Sequence, residues 1–279
     1  ALVWKTRGRQ FDSASGHKLI KKLIYKFQNK ELKKYIFWKL GIDKIIRLYL
    51  ISYRYIYDQF FKIALSLFKN NSKVYVNLKF FYLKHKKSDI YKHLQTLYIY
   101  SKECESIFET GVRGVVSSWA FLKGLIDNGS KEKYFFLNDI NVCDTAEIEF
   151  HSSNLLVDIN YIWENNLEIE INKMYDLTFI DTWHVYAQLK RELEKFSKHT
   201  NKYIIMHDTT VDGELGETIR RKWNSIAQSK ESGFPVEEIE IGLWPAILEF
   251  LDNNNNWELE KRYENCNGLT ILKRINQYE

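Results

Sequence analysis

The sequence predicts an α/β fold with a mostly parallel sheet, preceded by a basic helical extension at the N-terminus. From residue 88 onward, short apolar segments typical of strands alternate with segments of helical periodicity. This alternation is the pattern of a parallel sheet covered by helices on both faces. Two strand-like segments near the C-terminus flank Asn267-Gly268, which indicates a hairpin. Residues 1–87 lack the alternation and are rich in lysine and aromatic residues.

The N-terminal segment carries most of the positive charge. Residues 1–90 contain 21 Lys and Arg against 5 Asp and Glu, whereas residues 91–279 contain 20 against 31. Between Lys18 and Lys87, basic residues are interleaved with Tyr, Phe, Leu and Ile, which predicts helices with an apolar stripe and a cationic face. Such a segment can be a solvated face, lie on an anionic membrane surface or pack against a partner domain. No zinc-finger or RNA-binding signature is present, so we expect no specific nucleic-acid partner.

Length and composition limit the class of protein. The chain has 279 residues, 45% of them hydrophobic, which is enough for a core in one large domain or in a domain plus an extension. Cys104, Cys143 and Cys266 form no CxxC pair, so we expect neither a disulfide framework nor a zinc cluster, and a reducing compartment fits. No uncharged segment approaches the roughly 20 residues that span a bilayer, and no signal peptide is evident. We therefore expect a cytoplasmic protein, with peripheral membrane contact as an option.

The first elements of the predicted α/β domain surround a glycine turn. A KHKKS segment ending at Ser88 marks the predicted boundary, and a helix at Asp89–Cys104 and a strand at Ile107–Glu109 follow it. Gly111 and Gly114 then form a turn that leads into a helix ending near Asn128-Gly129. Glycine allows backbone N–H groups to approach a ligand, and a helix N-terminus favours negative charge. On its own, this turn also fits a plain strand–helix connection.

The remaining predicted elements continue the alternation to the C-terminal hairpin. Strands are predicted at Tyr134–Leu137, Leu167–Ile171, Leu177–Ile180 and Tyr203–Met206, and helices at Leu189–Phe196 and Glu214–Gln228. The second of these helices would turn Ile219, Trp223 and Ile226 inward. Pro245 suits the first turn of a further helix, LWPAILEFL. The hairpin itself consists of Trp257–Tyr263 and Leu269–Lys273.

Acidic residues stand at the ends of four predicted strands. They are Glu109, Asp139, Asp181 and Asp208. Ligands of open α/β sheets bind outside the carboxyl ends of the strands, where the strand order changes direction. These acids are therefore candidate site residues, although an acid such as Asp139 can also simply cap the next turn.

Five separated motifs, in this order, resemble the class I S-adenosylmethionine-dependent methyltransferases. They are ETGVRGVVSSW, the strand-end acid Asp139, FIDTWH at 179–184, IIMHDTT at 204–210, and GLWPAILEFL with NGLTILKR. The similarity covers residues 88–279 and is greatest to the sugar O-methyltransferase-like branch of bacteria and large viruses, whose members are sometimes fused to glycosyltransferases. It implies a Rossmann-like, mostly parallel seven-stranded sheet with an antiparallel last strand and a change of direction between the first and fourth strands. Residues 1–87 lie outside the resemblance.

The resemblance also implies a cofactor site. The turn from Gly111 to Gly114 would approach the methionine part of S-adenosylmethionine, and Glu109 and Ser117 would belong to the same site. Asp139 would accept hydrogen bonds from the ribose hydroxyls. Arg113 can pair either with the cofactor carboxylate or with a neighbouring acid.

Methyl transfer to a sugar hydroxyl requires help from a base or a metal, because an alcohol is a poor nucleophile at neutral pH. Asp181 and Asp208, on adjacent strands, can share a divalent cation, and oxygen ligands favour Mg²⁺ or Mn²⁺. In related metal-dependent sugar methyltransferases, an aspartate three residues before a histidine supplies a metal ligand and the general base, and Asp181 and His184 match that pattern. His207 stands where the first member of an acidic pair is usual there. The resemblance thus implies Asp181, His207 and Asp208 as metal ligands, and His184 and Asp181 as catalytic residues.

We therefore expect an O-methyltransferase that acts on a carbohydrate or glycan hydroxyl. A glycosyltransferase domain or an anionic membrane surface is the expected partner of the N-terminal segment. One alternative is a methyltransferase-like module that has lost its chemistry and serves a glycan-building enzyme as a scaffold. A nucleotide-dependent oxidoreductase is a weaker alternative, since the glycine turn lacks the full GxGxxG.

Overall fold

The computed structural model describes the backbone of residues 42–275 and the side chains from residue 53 onward. Contacts divide the chain into two compact units, residues 1–62 and 63–279. The smaller unit is described from the start of helix α1, Ile42–Phe68, where the rings of Tyr57 and Phe61 pack with centroids 4.7 Å apart. The predicted helices of residues 18–41 lie outside the described residues. Among the helices that are described, none combines the length and the apolar character needed to cross a membrane.

The larger unit contains a seven-stranded sheet. Its strands are β1 (Ser106–Thr110), β2 (Tyr134–Asp139), β3 (Asp158–Trp163), β4 (Tyr175–Ile180), β5 (Thr200–His207), β6 (Trp257–Tyr263) and β7 (Leu269–Arg274). They are arranged in the order β3-β2-β1-β4-β5-β7-β6. Strands β1 to β5 are parallel, and β7 is antiparallel to both β5 and β6. The predicted mostly parallel sheet, its C-terminal hairpin and the change of direction between β1 and β4 are confirmed.

Helices cover both faces of this sheet. They are α2 (Ser72–His85), α3 (Leu94–Ser101), α4 (Ser117–Asp127), α5 (Ala146–Asn154), α6 (Tyr186–Phe196), α7 (Glu217–Arg220), α8 (Ser225–Ser232), α9 (Val236–Glu240) and α10 (Leu243–Asn253). One apolar cluster joins α2 to α5 with Ile107 and its neighbours, and a second joins α6 and α10 with Phe108 and its neighbours. Successive strand residues point to opposite faces, so Ile107 and Phe108 belong to different clusters. The sheet is therefore buried on both sides, as a parallel sheet requires.

Helix α2 belongs to the compact unit that contains the sheet, which begins at Ile63. Its Tyr75 stacks on His151 of α5, with ring centroids 4.0 Å apart. Its Lys79 forms an ion pair of 2.5 Å with Glu147. The predicted boundary between the basic helical extension and the α/β domain, between residues 87 and 88, stays a prediction.

The prediction of the third strand is wrong. Leu167–Ile171 is irregular, and β3 is formed instead by Asp158–Trp163. The alternation in LEIEI arises because Ile169 and Ile171 are buried under the sheet as the chain crosses it. The carbonyl oxygens of this segment accept from Lys195 Nζ, at 2.9 Å for Leu167 and 2.6 Å for Ile169, rather than from a neighbouring strand.

The helix predicted at Glu214–Gln228 is also wrong, because it is two short helices, α7 and α8. Lys222 has a φ of +58°, which ends helical geometry. Asn224 then caps α8 by accepting a hydrogen bond of 3.0 Å from the amide of Ala227. As a result, Trp223 and Ile226 are 43% and 60% exposed instead of facing inward.

The helix predicted at Asp89–Cys104 is shortened at its start, and α3 begins at Leu94. Tertiary contacts hold the preceding residues in turns. Arg113 forms an ion pair of 2.7 Å with Asp89, and His93 Nε2 donates to the carbonyl oxygen of Asn265 at 2.8 Å. These residues therefore connect the loop before α3 both to the glycine turn and to the β6–β7 turn.

Candidate active site

Four carboxylates stand at the carboxyl ends of neighbouring parallel strands. Glu109 lies in β1 and Asp139 ends β2, while Asp181 and Asp208 directly follow β4 and β5. These strands are adjacent, in the order β2-β1-β4-β5. Their ends therefore meet at the edge of the sheet where the strand order changes direction. A cleft of about 750 Å³ opens at this edge.

The sheet brings the predicted site residues together. Those that line the cleft are Gly111, Arg113, Gly114, Ser117, Asp139, Asp181 and His184. Glu109, His207 and Asp208 are buried and do not line it. The cleft and the residues beneath it thus contain every residue that the sequence singled out.

The turn after β1 requires glycine at residue 111. The φ of Gly111 is +89°, and a Cβ at this position would lie 1.9 Å from the carbonyl oxygen of Asp181. Any side chain would therefore push the ends of β1 and β4 apart. Positive φ angles also occur at Arg113 (+39°) and Val115 (+56°), a strained geometry for residues with side chains. Surrounding contacts must hold this turn in place.

Asp139 makes some of the contacts that hold the turn after β1 in place. Its Oδ2 accepts a hydrogen bond of 2.8 Å from the amide of Arg113, and its Oδ1 accepts one of 2.9 Å from the amide of Asn141. The carboxylate therefore joins the turn after β1 to the turn after β2. Each carboxylate oxygen has a further lone pair, so Asp139 has acceptor capacity left for a ligand in the cleft. The turn-capping role and the ligand-binding role are compatible.

Glu109 and Ser117 form a buried pair beneath the turn. Glu109 is fully buried, and its Oε1 accepts from the Ser117 hydroxyl. Burial raises the pKa of the Glu109 carboxyl to about 8, although the nearby hydroxyls of Ser117 and Ser118 act in the opposite direction. Its Oε2 has no hydrogen-bond partner among the described residues. Burial therefore favours the protonated form of Glu109, whose side chain lies beneath the turn.

Arg113 pairs with a neighbouring acid. Its guanidinium lies 2.7 Å from Asp89 Oδ2, and its side chain is 75% exposed. The sequence allowed two partners for Arg113, the cofactor carboxylate or a neighbouring acid. Among the described residues, the partner is the acid Asp89. An ion pair this exposed contributes little to stability, so the guanidinium stays available to a ligand.

His184 lies among three aspartates. Its Nε2 is 3.2 Å from Asp181 Oδ1 and 3.2 Å from Asp208 Oδ2. Its Nδ1 is 3.1 Å from Asp212 Oδ2. Ligand atoms of Asp181, His184 and Asp208 lie within 4.8 Å of one another. The sequence motifs DTWH and HDTT therefore converge on one side-chain cluster.

The carboxylates determine the charge of this cluster. Burial alone would lower the pKa of His184, but its hydrogen bonds to Asp181 and Asp212 outweigh burial and raise the pKa well above the ordinary value. Burial likewise opposes the ionisation of Asp181, but the neighbouring imidazoles of His207 and His184 hold the pKa of Asp181 far below its usual range. The buried acids thus favour positive charge in the site.

The turn between β6 and β7 orients His207. Cys266, Asn267 and Gly268 have φ angles of +51°, +70° and +101°. The carbonyl oxygen of Cys266 accepts from His207 Nε2 at 3.1 Å, and that of Asn267 accepts from the Thr210 amide at 2.9 Å. A carbonyl can only accept, so His207 carries a proton on Nε2. Its Nδ1 is left toward Asp181 and Asp208.

The donor set around Asp181 and Asp208 fits a divalent cation. His207 Nδ1 lies 3.4 Å from Asp181 Oδ1 and 3.5 Å from Asp208 Oδ2. Both His207 Nδ1 and Asp208 Oδ1 are buried without a hydrogen-bond partner among the described residues. Carboxylate oxygens with one imidazole suit Mg²⁺ or Mn²⁺. The carbonyl behind the imidazole is the kind of second contact that orients a histidine ligand.

Sequence analysis missed the residues that hold His184 from the other side. Asp212 is fully buried, accepts from His184, and accepts from Arg220 through Nε at 2.5 Å and Nη2 at 2.8 Å. Glu217 Oε2 lies 3.7 Å from His184 Nδ1. Asp212 could have been suspected from the sequence, because it lies only four residues after the strand-end acid Asp208. The contact between Arg220 and Asp212 could not be predicted, because the sequence predicted one continuous helix at Glu214–Gln228 instead of the two short helices α7 and α8.

A second missed group is the polar network around Glu192. Its Oε1 accepts from Asn166 at 2.5 Å, from Thr182 at 2.6 Å and from Gln188 at 2.8 Å. Glu192 is fully buried, and burial raises its pKa to about 7. The network ties the residue after Asp181 to the loop that follows β3. No local pattern distinguishes this glutamate from a surface residue of an amphipathic helix.

Comparison with known proteins gives similarity in structure alone. No family model matches the sequence, and no curated protein matches it. Solved structures that resemble the chain include an O-methyltransferase from Bacillus cereus in complex with SAH, with 16% identity over 68% of this chain and 83% of that chain and a TM-score of 0.45. The O-methyltransferase TomG from Streptomyces achromogenes, in complex with SAM, has 12% identity, coverage of 66% and 79%, and a TM-score of 0.42.

A SAH-bound methyltransferase from Podospora anserina, PaMTH1, is similar over 77% of this chain and 94% of that chain, with 13% identity and a TM-score of 0.43. Identities and TM-scores this low say nothing about the activity or the ligand of the present chain. The Rossmann-like methyltransferase fold is established here by the strand order and the antiparallel β7.

Proposed function

We propose that this protein is an S-adenosylmethionine-dependent O-methyltransferase that acts on a carbohydrate hydroxyl with the help of a divalent cation. One observation carries the proposal. A single cleft is lined both by Asp139, a strand-end carboxylate hydrogen-bonded to the glycine turn, and by Asp181 and His184, whose ligand atoms lie within 4.8 Å of one another and of that of the buried Asp208. The first suits a nucleoside cofactor, and the second suits activation of a hydroxyl.

The cofactor half of the cleft consists of the turns after β1 and β2. Asp139 has lone pairs free for two ribose hydroxyls, and the glycine turn exposes backbone beside it. When bound, S-adenosylmethionine supplies a methyl group on a sulfonium cation, which is transferred to an oxygen nucleophile. The carboxylates of Asp139 and Asp181 line the same cleft and favour a cation there.

The hydroxyl-activating half consists of Asp181, Asp208 and the two histidines. We assign Asp181, Asp208 and His207 Nδ1 as the groups that would hold the cation, because His207 and Asp208 lie beneath the cleft surface with unpartnered donor atoms. A cation there would lower the pKa of an acceptor hydroxyl. His184 lines the cleft, and we assign its Nε2, which faces Asp181 and Asp208, as the atom that would take the hydroxyl proton. Asp212, held by Arg220, keeps that imidazole in position.

His184 must be neutral to act as a base. Asp181 and Asp212 raise the pKa of His184, which favours its protonated form. A cation held by Asp181 and Asp208 would act in the opposite direction, because the same carboxylates would then stabilise the cation.

Aromatic side chains support a carbohydrate acceptor. Trp183, Trp223 and Phe234 are among the residues that line the cleft, as are Gln228 and Ser232. The apolar C–H faces of a sugar ring pack on aromatic faces, while amide and hydroxyl groups bond its hydroxyls. A lining that contains both kinds of group is suited to a polyhydroxylated ring.

A scaffold without chemistry is the second candidate function. It is favoured by the contacts of His184, because Nε2 lies 3.2 Å from Asp181 and Nδ1 lies 3.1 Å from Asp212, so neither ring nitrogen is free to accept a proton from a ligand. Binding alone would not separate it from the enzyme, so turnover has to be measured.

Two measurements test the proposal. Isothermal titration calorimetry should detect binding of S-adenosylhomocysteine and no comparable binding of NAD. Release of S-adenosylhomocysteine from S-adenosylmethionine should then depend on an added glycan and on Mg²⁺ or Mn²⁺. Absence of nucleoside binding would reject the whole assignment, whereas binding without turnover on a broad glycan panel would favour the scaffold.

A further inference from the structure

Five polar side chains of the cleft lining are joined to one another and to the buried carboxylate of Glu192. They belong to Thr110, Asn138, Asn166, Thr182 and Gln188. Glu192 is fully buried and does not line the cleft. These six residues are called the Glu192 network below. The direction of its hydrogen bonds decides what the lining can offer to a ligand.

Asn138 sets that direction. Its Nδ2 donates to the backbone carbonyl oxygens of Ile162 at 3.3 Å and Glu164 at 2.9 Å, and a carbonyl can only accept. Its Oδ1 must therefore be the atom that accepts from the Thr110 hydroxyl, at 2.8 Å. A hydroxyl has a single proton, so Thr110 Oγ1 can only accept from Asn166 Nδ2, which lies at 3.0 Å.

Asn166 and Gln188 continue the same direction to Glu192. Asn166 Nδ2 donates its second proton to Glu192 Oε1 at 2.5 Å. Asn166 Oδ1 accepts from Gln188 Nε2 at 3.0 Å, and Gln188 Nε2 also donates to Glu192 Oε1, at 2.8 Å. Thr182 donates its hydroxyl proton to the same carboxylate oxygen, at 2.6 Å. Every N–H and O–H proton of the five lining side chains is therefore already used.

The network leaves only acceptors for a ligand. Gln188 Oε1 forms no hydrogen bond with a described residue, and it is not among the buried unpartnered atoms, so it is accessible from the cleft. The oxygens of Thr182 and Asn166 also keep lone pairs. A lining of this kind binds ligand groups that donate hydrogen bonds.

We propose that Glu192 is a positioning residue that keeps this lining an acceptor, and that the cleft thereby selects a nucleoside whose base carries an amino group. The assignment rests on the proposed function, which places the ribose at Asp139 and the methionine part at the glycine turn. Asn138 directly precedes Asp139, so the network begins beside the ribose site and remains available to the base. The amino group of adenine donates, and Gln188 Oε1 is the acceptor that we assign to it.

The carboxylate of Glu192 is needed because three of the lining residues share it. Without it, Asn166, Thr182 and Gln188 would each have a donor proton without a partner. An unpaired polar group costs more than a missing hydrogen bond, so these side chains would rotate toward the cleft or toward water. The lining would then offer both donors and acceptors, and a base with an amino group would lose its advantage.

The test compares S-adenosylhomocysteine with its analogue in which hydrogen replaces the amino group of the base. Affinities of both for the full chain are measured by isothermal titration calorimetry. We expect the parent protein to bind S-adenosylhomocysteine about tenfold more tightly, since the analogue leaves Gln188 Oε1 unpaired.

Variants locate the effect. Glu192→Leu should bring the ratio of the two affinities close to one, whereas Glu192→Gln keeps an acceptor oxygen and should retain the preference. Gln188→Met removes Oε1 at similar side-chain length, and it should lower the affinity for S-adenosylhomocysteine about tenfold, to that of the analogue. This variant decides the question if Glu192→Leu does not fold. Glu194→Leu is the matched control, because Glu194 is an exposed glutamate of α6 that does not line the cleft. It should leave the ratio unchanged.

A purely structural role for Glu192 predicts a different result. In that case Glu192→Leu would weaken both nucleosides by the same factor, and the tenfold ratio would persist, which overturns the assignment. Equal affinities in the parent protein, a ratio that survives Gln188→Met, and a ratio lost in Glu192→Gln overturn it as well. Absence of binding of both nucleosides rejects the proposed function and the base selection together, whereas equal binding of the two rejects the base selection alone.

Discussion

Replacement of Glu109 by glutamine should change how stability depends on pH. Glu109 is fully buried, and burial raises its pKa from 4.5 to about 8. Between these values the unfolded chain loses the proton while the folded protein keeps it. The folded state then binds more protons than the unfolded state, so the free energy of unfolding falls as pH rises from about 4.5 to about 8.

The size of the effect follows from the pKa difference. Each unit corresponds to about 1.4 kcal/mol, so the parent protein should lose about 3–5 kcal/mol of stability through Glu109 across this range. Glu109→Gln keeps the acceptor oxygen for Ser117 and removes the titration. The two proteins should therefore be similarly stable near pH 4.5, and the variant should be the more stable by about 3–5 kcal/mol near pH 8.

Urea denaturation at a series of pH values measures this difference directly. Glu105→Gln is the matched control, because Glu105 lies just before β1 and is exposed. It should give a stability curve parallel to that of the parent protein. If the curves for Glu109→Gln and the parent run parallel from pH 4.5 to 8, Glu109 is ionised in the folded protein and its assignment as a neutral buried acid is wrong.

Four further predictions concern the site and the N-terminal segment. Asp139→Ala should weaken S-adenosylhomocysteine binding in calorimetry by about 1–3 kcal/mol, since it removes a charged acceptor, whereas Asp144→Ala in the same loop should not; equal affinities would reject the ribose role. His184→Ala should lower the turnover rate by about 10²–10⁴-fold with unchanged nucleoside affinity, and full activity would move the base to another residue. EDTA should abolish turnover, added Mg²⁺ or Mn²⁺ should restore it, and Asp181→Asn should resist restoration; full activity in EDTA would eliminate the cation. The full chain should bind vesicles containing an anionic lipid at low salt and release them at high salt; no binding at low salt would reject the membrane surface as partner.

Much of the sheet could be predicted because its signals are local. Apolar segments ending in an acid at Glu109, Asp139 and Asp181 identify buried parallel strands, and Asn267-Gly268 identifies the hairpin. The edge strand β3 could not be found this way. Its residues are partly exposed, so DINYIW lacks the continuous apolar character of a central strand, while buried isoleucines made LEIEI look like one.

The side chains of the site were predictable only where they sit at strand ends. Topology alone brings Asp181 and Asp208 together, because β4 and β5 are neighbours. Asp212 and Arg220 depend on the path of an irregular segment, which is set by the positive φ of Lys222 and by the cap at Asn224. Glu192 depends on three partners from distant parts of the chain. No window of sequence contains that information.

The left-handed turn between β6 and β7 makes completion of the site depend on the order of synthesis. Every cleft-lining residue precedes this turn in the chain, yet its carbonyl oxygens hold His207 and His93. A ribosome-bound chain that ends before Asn265 already contains the four strand-end acids but lacks the carbonyl groups that orient these imidazoles. Domains fold as units, with the N-terminal parts made first. The two imidazoles are therefore fixed in place only after the turn of the hairpin has been synthesised.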